Sequence, residues 1–341
     1  MLEAIRLAAA EHPHPNPRVG AIVLDREGSV VGRGAHVAAG AEHAEIIALA
    51  EAGERARGGT MVVTLEPCSH VGRTPPCTEA LVQAGITRVI VGAGDPDERV
   101  SGSGIARLRE AGIDVVTDSA PAEVHRLDPG YFHHRSTGRP LVTLKMAATL
   151  DGQSAAADGS SRWITGPQAR EDVHRLRAAS DAVMVGAGTV RSDDPRLTVR
   201  LEGHPGRQPR PVVVAGGGPL PRNAAVFSRE PLVYAPAPID VRGEVVVMPG
   251  KDGVDLGSAI ADMGKRDIVD LLCEGGPGLA AALLRADLVD RLILYLGGSL
   301  AMGAGRPLID GVFASVGEAR RVDITGVTRL GPDLRIDAEV S

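Results

Sequence analysis

The sequence has few aromatic residues: one tryptophan, three tyrosines and three phenylalanines in 341 positions. Proteins that bind single-stranded nucleic acid stack bases on aromatic side chains, so this scarcity argues against such a partner. Basic charge is also in deficit, because 37 lysines and arginines against 43 aspartates and glutamates give a formal net charge of −6. Proteins that bind the phosphate backbone are usually basic. We therefore expect no nucleic-acid partner.

Cysteine is scarce as well, and long apolar runs are missing. Three cysteines in a chain of this length do not form a disulfide framework, which favours a reducing compartment. No uncharged apolar run approaches the roughly 18 residues needed to span a bilayer. The first ten residues carry Glu3 and Arg6 at helical spacing and lack the basic region of a signal peptide. We predict a cytoplasmic protein with no membrane partner.

Glycine, by contrast, occupies 43 positions without a collagen-like period, which indicates many tight turns. Short apolar β runs alternate with helix-like stretches, a pattern typical of an α/β sheet with parallel neighbours. The main predicted helices are 2–10, 43–53, 77–85, 104–112, 166–180 and 276–287, and the main strands are 20–24, 30–36, 60–68, 113–118, 140–147 and 181–188. The length exceeds one ordinary domain, and a polar stretch at 133–140 separates the two series. We predict α/β domains over residues 1–137 and 138–341.

A histidine, a glutamate and two cysteines form the clearest chemical pattern. His43 and Glu45 open a predicted helix, Cys68 ends a predicted strand, and Cys77 begins the next helix. One histidine and two cysteines leave a fourth tetrahedral position for water, which is the arrangement of a catalytic zinc. Zinc lowers the pKa of that water to about 7, and Glu45 can pass its proton to a leaving amine. This is the chemistry of zinc deaminases, whose signature is H-x-E followed by P-C-x-x-C.

Other interpretations of these residues stay open at this point. The two cysteines are nine positions apart instead of three, and His70 in the loop between them is an alternative ligand. Each residue taken alone is more typical of a buried or surface position. The combination of H-A-E, a strand that ends in P-C and a second cysteine at a helix start favours the catalytic zinc.

Longer motifs run through both halves of the chain. They are HPNPRVGAIVL (14–24), HAEIIAL (43–49), EPCSHVGRTPPCTEAL (66–81), TGRPLVTLKMAATLDGQSA (137–155), SRWITG (161–166), VGAGTVRSDDPRLTVR (185–200) and EGGPGLAAALL (274–284). Their combination and order resemble the bifunctional riboflavin-biosynthesis deaminase/reductase family, in which a long loop between the cysteines is characteristic. Two loops depart from the family pattern: Asp97-Glu98 replaces Asn-Pro, and Gly278 replaces a common threonine or serine.

This resemblance implies a fold and two successive reactions. The fold would combine an N-terminal cytidine-deaminase-like three-layer α/β domain with a C-terminal dihydrofolate-reductase-like α/β domain. The first domain would use zinc to remove the ring 2-amino group of 2,5-diamino-6-ribosylamino-4(3H)-pyrimidinone 5′-phosphate. The second would use NADPH to reduce the ribosyl unit to ribityl. The partner is then a small phosphorylated pyrimidine, and we expect the chain to form a homo-oligomer.

The resemblance also implies roles for residues whose motifs match. In the deaminase half, the zinc ligands would be His43, Cys68 and Cys77, the proton shuttle Glu45, and a pocket residue Asn16. The matching substrate-contacting positions of the reductase half are Ser161, Arg177, Leu197, Arg200 and Glu274. The matching cofactor-contacting positions are Ala147, Trp163, Thr189, Asp193, Gly276, Pro277, Gly278, Leu279, Ala280, Ala281 and Ala282.

The residues of the second half support a reductase in part. The segment from Gly276 to Ala281 fits G-x-G-x-x-A, a turn that presents backbone N–H groups to a pyrophosphate, although such turns also occur without a ligand. No acidic residue ends a second strand about twenty residues later, so a true Rossmann domain is not predicted. Lys145 and Asp151 flank the segment KMAATLDG. We interpret both as substrate-pocket residues, and a structural salt-bridged pair is the alternative.

For two arginines and the single tryptophan, the sequence likewise allows both a ligand-binding role and a structural one. Arg177 and Arg200 can bind phosphate, because the guanidinium fork matches its geometry, or they are solvated surface charges. Trp163 either covers the nicotinamide or fills a core of small residues.

Two other functions compete with the one that the resemblance implies. The first is a zinc deaminase of a nucleoside or a tRNA base with a non-catalytic second domain, against which the acidic charge and the few aromatic residues argue. The second is a non-enzymatic nucleotide-binding or scaffold protein with a structural zinc. A fourth protein ligand on the metal would favour that second alternative.

Overall fold

The computed structural model describes residues 1–69, 76–97, 100–204, 206–216, 218–303, 305–311, 315, 317 and 319–340. The chain divides into two compact units, Met1–Gly138 and Arg139–Ser341. Each unit has its own apolar core, in which small and branched side chains replace the scarce aromatic ones. No helix within the described ranges is both long and apolar enough to cross a membrane.

The first unit is built on a five-stranded sheet. Its strands are β1 (Gly20–Leu24), β2 (Val30–Ala35), β3 (Thr60–Leu65), β4 (Arg88–Ala93) and β5 (Asp114–Val116). Its helices are α1 (Leu2–Ala9), α2 (Ala44–Ala52), α3 (Cys77–Gln83), α4 (Ser103–Glu110), α5 (Pro121–Leu127) and α6 (Pro129–Thr137), with a 3₁₀ turn at Gly53–Ala56. The strand order is β2-β1-β3-β4-β5. Strand β1 is antiparallel to β2 and β3, whereas β3, β4 and β5 are parallel.

Helices cover both faces of this sheet. Ile22 and Val62 pack on the side of α1, whereas Val23 and Val63 pack on the other side with residues of α2, α3 and α4. This alternation along each strand is the two-residue period expected of a sheet buried on both faces. The predicted three-layer α/β arrangement is therefore confirmed.

Two glycines of β2 allow α2 to lie close to the sheet. A Cβ atom at Gly34 would lie 2.0 Å from the carbonyl oxygen of Ala44, and Gly32 makes an equally close approach one turn later. Any side chain at these positions would push the helix away. The close approach therefore determines where the amino end of α2, with His43 and Glu45, is placed.

The second unit is built on a nine-stranded sheet. Its strands, with those of two small ribbons, are β6 (Leu141–Thr149), β7 (Gln153–Ala155), β8 (Ala182–Gly186), β9 (Arg210–Val214), β10 (Leu232–Ala235), β11 (Glu244–Val247), β12 (Pro249–Gly250), β13 (Gly253–Val254), β14 (Asp270–Cys273), β15 (Arg291–Gly297), β16 (Arg306–Pro307), β17 (Val322–Leu330) and β18 (Asp333–Val340). Its helices are α7 (Pro167–Ala179), α8 (Ala187–Asp193), α9 (Leu256–Lys265) and α10 (Pro277–Arg285), with a 3₁₀ turn at Ala225–Arg229.

The order of the large sheet is β11-β10-β9-β8-β14-β6-β15-β18-β17. In this order the first seven strands, which end with β15, are parallel to one another. The strands β18 and β17 then continue the sheet in antiparallel pairing. The carboxyl ends of the parallel strands therefore share one edge, where ligands of open α/β sheets usually bind.

The structure differs from the predicted element pattern in several places. Residues 133–137 lie in α6 and not in a connecting segment, so the predicted polar connection at 133–140 is wrong for most of its length. The sequence pattern predicts neither α9 nor the strands β17 and β18. The strand β17 is exposed on nearly all of its residues, so it lacks the alternation of apolar and polar side chains that marks a half-buried strand.

Candidate functional site

His43, Cys68 and Cys77 come together at one point of the first unit. Their ligand atoms all lie within 4.8 Å of one another. Nδ1 of His43 is 3.1 Å from Sγ of Cys77 and 3.6 Å from Sγ of Cys68. One imidazole nitrogen and two sulfurs at this spacing are a donor set that fits zinc. His70, the alternative ligand, lies outside the described residues.

The segment that carries Cys68 is held by a buried carboxylate that belongs to none of the predicted site residues. The oxygens of Glu66 accept the backbone N–H groups of Gly102, Gly104 and Ile105 at 3.0, 2.9 and 3.2 Å. These are the first N–H groups around the start of α4, so Glu66 ties the end of β3 to that helix. The only sequence signal is an acidic residue at the end of an apolar run, directly before P-C.

Glu45 lies in the first turn of α2 and is only 3% exposed. Burial raises the pKa of Glu45, and the nearby charge of His43 opposes that shift. A hydrogen bond with Cys68 raises the pKa of His43, and a hydrogen bond with Cys77 lowers the pKa of Cys68. A buried carboxyl beside a donor cluster is placed to accept a proton and to return it.

Asn16 contacts a second histidine, His36, which is also not among the predicted site residues. Nδ2 of Asn16 is 2.9 Å from Nε2 of His36, and Nδ1 of His36 is 2.9 Å from the carbonyl oxygen of Glu42. The rings of His36 and His43 meet edge-on, with centroids 5.3 Å apart. His36 is buried, and burial lowers its pKa. Asn16 therefore lies one residue away from the donor cluster.

Asp95 and Asp97 follow β4, where the chain departs from the family pattern. Burial raises the pKa of Asp95 to about 6, and its Oδ1 accepts the N–H of Asp97 at 2.9 Å and the hydroxyl of Tyr131 at 3.0 Å. Asp97 lies 3.6 Å from Nε of Arg135, which offsets its charge. Glu98, the other half of this departure, lies outside the described residues.

In the second unit, a cavity of about 1060 Å³ lies at the carboxyl edge of the large sheet. This volume is at the upper end of small-molecule pockets. The cationic side chains of its lining are Lys145, Arg162, Arg170, Arg177, Arg196, Arg200 and Arg306, and the acidic ones are Asp193, Asp194, Asp252 and Glu274. An excess of guanidinium groups in a cleft suits ligands with several phosphate groups.

Most reductase-half residues predicted as contacts line this cavity. They are Lys145, Ala147, Ser161, Trp163, Arg177, Thr189, Asp193, Leu197, Arg200, Glu274, Gly276, Pro277, Gly278, Leu279 and Ala282. Ala280 and Ala281 are instead buried on the inner side of α10. Asp151 is also outside the lining, because its carboxylate accepts the N–H groups of Ala301 and Gly303 at 3.0 and 3.2 Å. Asp151 thus fastens that turn to the end of β6.

Inside the cavity, Arg177 binds Glu274 through two hydrogen bonds of 2.6 and 3.0 Å. Lys145 lies near this pair. Burial lowers the pKa of Lys145, and the negative charge of Glu274 opposes that shift. No ion pair joins Lys145 to Asp151 in the part of the chain that the structure describes, so the alternative of a structural pair is not supported. Arg177 is likewise no solvated surface charge, since its side chain is 12% exposed.

Two helices begin at glycines of the cavity lining, α8 after Gly186 and α10 after Gly276. Their amino ends offer unpaired backbone N–H groups, which bind anions. Trp163 is 68% exposed, with the guanidinium of Arg170 4.4 Å above its ring, so it does not fill a core. Leu197 is buried with a φ of +53°, and such left-handed backbone in a non-glycine residue clusters at functional sites.

Two family models match the chain, one in each half. Residues 1–93 match the cytidine and deoxycytidylate deaminase zinc-binding region. Residues 140–336 match the RibD C-terminal domain. The two matches follow the order of the two compact units and support the predicted fold of each half.

Curated relatives and solved structures are similar over the full length. The chain is 39% identical over 332 residues to the riboflavin biosynthesis protein RibD of Aquifex aeolicus, covering 95% of this chain and 92% of the relative. It is 39% identical over 357 residues to RibD of Escherichia coli, covering 98% and 96%.

Among solved structures, Acinetobacter baumannii RibD is 35% identical with a TM-score of 0.92, covering 100% of this chain and 97% of that one. The diaminohydroxyphosphoribosylaminopyrimidine deaminase/5-amino-6-(5-phosphoribosylamino)uracil reductase of Thermotoga maritima is 32% identical with a TM-score of 0.89, covering 100% and 97%. The family resemblance inferred from the motifs is thereby confirmed. The chain belongs to the RibD family of riboflavin biosynthesis proteins.

Proposed function

We propose that the chain deaminates 2,5-diamino-6-ribosylamino-4(3H)-pyrimidinone 5′-phosphate and then reduces the product, with the first reaction in residues 1–137 and the second in residues 138–341. It is a bifunctional deaminase and reductase of riboflavin biosynthesis. The division into compact units after Gly138 supports the proposed bounds. The observation that carries the assignment is one chain with both a zinc donor set and a cation-rich cavity.

Zinc is the cofactor of the deaminase unit. We propose that Nδ1 of His43 and the sulfurs of Cys68 and Cys77 hold it, because their chemistry and spacing fit the ion. When bound, zinc supplies a Lewis acid that makes a water molecule nucleophilic near neutral pH.

Glu45 moves the proton of the deamination. Its carboxylate accepts a proton from the attacking water and delivers it to the departing 2-amino group, so that the C–N bond breaks and ammonia leaves. The buried position of Glu45 beside the donor cluster supports this role. Asn16 binds the pyrimidine ring through its side-chain amide.

NADPH is the cofactor of the reductase unit, and it supplies the hydride that converts ribosyl to ribityl. The proposed contacts are Ala147, Trp163, Thr189 and Asp193, together with the amino end of α10 at Gly276, Pro277, Gly278, Leu279 and Ala282. The unpaired N–H groups at the starts of α8 and α10 fit a pyrophosphate, which supports this placement.

The two arginines of the substrate site have different tasks. Arg200 is exposed, and its guanidinium contacts Oγ1 of Thr198 at 3.3 Å, so it can turn to the substrate phosphate. Arg177 is committed to Glu274 and holds that carboxylate in place. Lys145, Ser161 and Leu197 complete the proposed substrate contacts.

We further propose that the protein is a cytoplasmic homo-oligomer. The strand β17 is the outer strand of the large sheet, and Ile324 and Val327 on it are 58% and 61% exposed. An open strand edge with exposed apolar side chains is a surface that proteins usually cover. Cys68, Cys77 and Cys273 form no disulfide with one another, which suits a reducing compartment.

The test is a product analysis with the zinc-loaded, full-length protein. Incubation with the diaminopyrimidine phosphate alone should release ammonia and give the deaminated ribosylamino compound. With NADPH added, the ribitylamino compound should follow, with one NADPH oxidised per product. Absence of ammonia would contradict the deaminase assignment. Accumulation of the deaminated compound beside unused NADPH would contradict the reductase assignment.

A further inference from the structure

Among the buried histidines of the first unit that the proposed mechanism does not use, one lies against the donor cluster. His36 is 3% exposed and lies between Asn16 and the ring of His43. Both of its ring nitrogens are engaged, Nδ1 with the carbonyl oxygen of Glu42 and Nε2 with Nδ2 of Asn16, each at 2.9 Å. His36 therefore has no nitrogen left for a substrate or a metal.

The hydrogen-bond partners determine where the proton on this ring lies. A backbone carbonyl oxygen only accepts, so Nδ1 of His36 must carry the proton that is donated to Glu42. In the neutral ring, Nε2 then presents a lone pair, and the group opposite must donate. The side chain of Asn16 meets this demand only when its NH₂ group faces His36.

This orientation leaves the oxygen of the Asn16 amide available. Within the described residues no group donates to Oδ1 of Asn16, and the side chain is half-buried, so a ligand can reach it. With the amide reversed, two lone pairs would face each other across 2.9 Å, which is repulsive. The backbone of Glu42 thus orients Asn16 through the imidazole of His36.

We propose that His36 is a positioning residue of the deaminase, and that it presents Oδ1 of Asn16 as a fixed acceptor for an N–H group of the pyrimidine ring. This inference rests on the proposed function for the identity of the ring. It makes the site selective for pyrimidines that carry a hydrogen at the contacted position. A ring with a bare nitrogen there would face the lone pairs of Oδ1.

Two substitutions of His36 separate this role from a general structural one. His36→Gln places an acceptor oxygen near the position of Nε2 and preserves the contact with Asn16. His36→Asn places an NH₂ group near the former position of Nδ1, which preserves the hydrogen bond to Glu42. The asparagine side chain is too short to reach Asn16. Zinc content measures whether either change disturbs His43, which directly follows Glu42.

For His36→Asn we expect KM of the deamination to rise about tenfold, the worth of one hydrogen bond, with a smaller change in kcat. His36→Gln should stay close to the wild-type KM. Both proteins should retain one zinc per chain and unchanged reduction of the deaminated compound. A wild-type KM in His36→Asn, or an equal loss in both variants, would overturn the proposal.

A double-mutant cycle tests whether the two side chains act as a unit. Asn16→Leu alone should raise KM by a similar factor, and adding His36→Asn should raise it no further. If the two factors multiply, His36 acts on something other than Asn16, and the proposal fails.

One measurement does not depend on the substrate. In protein with ¹⁵N-labelled histidine at neutral pH, the signal that His36→Asn removes should be that of a neutral ring protonated on Nδ1. Protonation on Nε2 would overturn the proposal and leave the assignment of the enzyme untouched. A correct tautomer in a protein that fails to deaminate the pyrimidine phosphate would overturn the proposed function instead.

Discussion

Arg177 and Glu274 form a two-point ion pair in the reductase cavity, with Nε and Nη2 of the arginine donating to the two carboxylate oxygens at 2.6 and 3.0 Å. Nη1 of the same guanidinium donates to the carbonyl oxygen of Thr198 at 2.9 Å. The two side chains are 12% and 10% exposed. One arginine of α7 therefore joins the end of β14 to the segment after α8 and uses its full fork in doing so.

Removal of this arginine should destabilise the second unit. Arg177→Ala would leave a buried carboxylate without its partner, and we expect a loss of about 3–5 kcal/mol in the free energy of unfolding, together with most of the reductase activity. Arg177→Lys keeps the positive charge but lacks the guanidinium fork, so its stability and reductase activity should lie between those of the wild type and of Arg177→Ala. Urea unfolding and kcat/KM of the reduction measure both effects, and deamination by the same samples is the control. A wild-type unfolding midpoint in Arg177→Ala would show that the pair is not a structural one.

The zinc cluster could be predicted because its residues stand at the ends of elements that the sequence pattern also predicts. His43 opens a helix, Cys68 follows a strand, and Cys77 opens the next helix. Each element end has a local sequence signal. His36 and Glu66 could not be found in the same way, because their roles depend on Asn16 and on the start of α4, which are distant along the chain.

The parts of the fold that could not be predicted lack a periodic apolar pattern. The helix α6 has the sequence PGYFHHRST, in which polar residues outnumber apolar ones and no apolar stripe recurs. The strands β17 and β18 alternate weakly, since β17 is exposed on both faces. The strand β18 forms by pairing with β15, whose burial is set by the rest of the sheet, and β17 forms by pairing with β18.

Glu45→Gln should abolish deamination and leave the rest of the enzyme intact. A glutamine cannot accept and return the proton, so we expect a loss of the order of 10²–10⁴-fold in kcat. Because Glu45 lies beside the donor cluster, zinc should remain bound. Metal analysis, ammonia release and reduction of the deaminated compound are the three measurements. Loss of zinc, or loss of the reductase activity, would contradict the assigned role.

Removal of the metal should silence one half of the enzyme only. Dialysis against a strong chelator should stop ammonia release, because water then lacks the Lewis acid that activates it. Oxidation of NADPH with the deaminated compound should continue at the original rate. Addition of one equivalent of zinc should restore deamination, whereas calcium, which prefers oxygen ligands, should not. Loss of reductase activity after chelation would contradict the prediction that the reductase site works independently of the zinc site.

Asp95 should make the first unit less stable as the pH rises. Burial raises its pKa in the folded chain to about 6 from the ordinary 3.8, so the unfolded chain releases the proton first. The free energy of unfolding then falls between about pH 4 and pH 6, by about 3 kcal/mol in all. Asp95→Asn does not ionise. This variant should therefore be more stable than the wild type at pH 7.5, where Asp95 is charged, but not at pH 4. Urea unfolding at both values measures this, and a difference independent of pH would contradict the assignment.

The outer edge of β17 should hold two copies of the chain together. Antiparallel pairing of two β17 strands about Gly326 would set Asp323 of each copy opposite Arg329 of the other, which adds charge complementarity to the exposed apolar side chains. Val327→Glu would bring two like charges close to this axis and should shift the protein toward monomer in size-exclusion chromatography with light scattering. Val247→Glu is the matched control, because Val247 is 45% exposed on β11, the strand at the opposite edge of the same sheet. Dissociation by the β11 variant and not by the β17 variant would place the interface on the other edge.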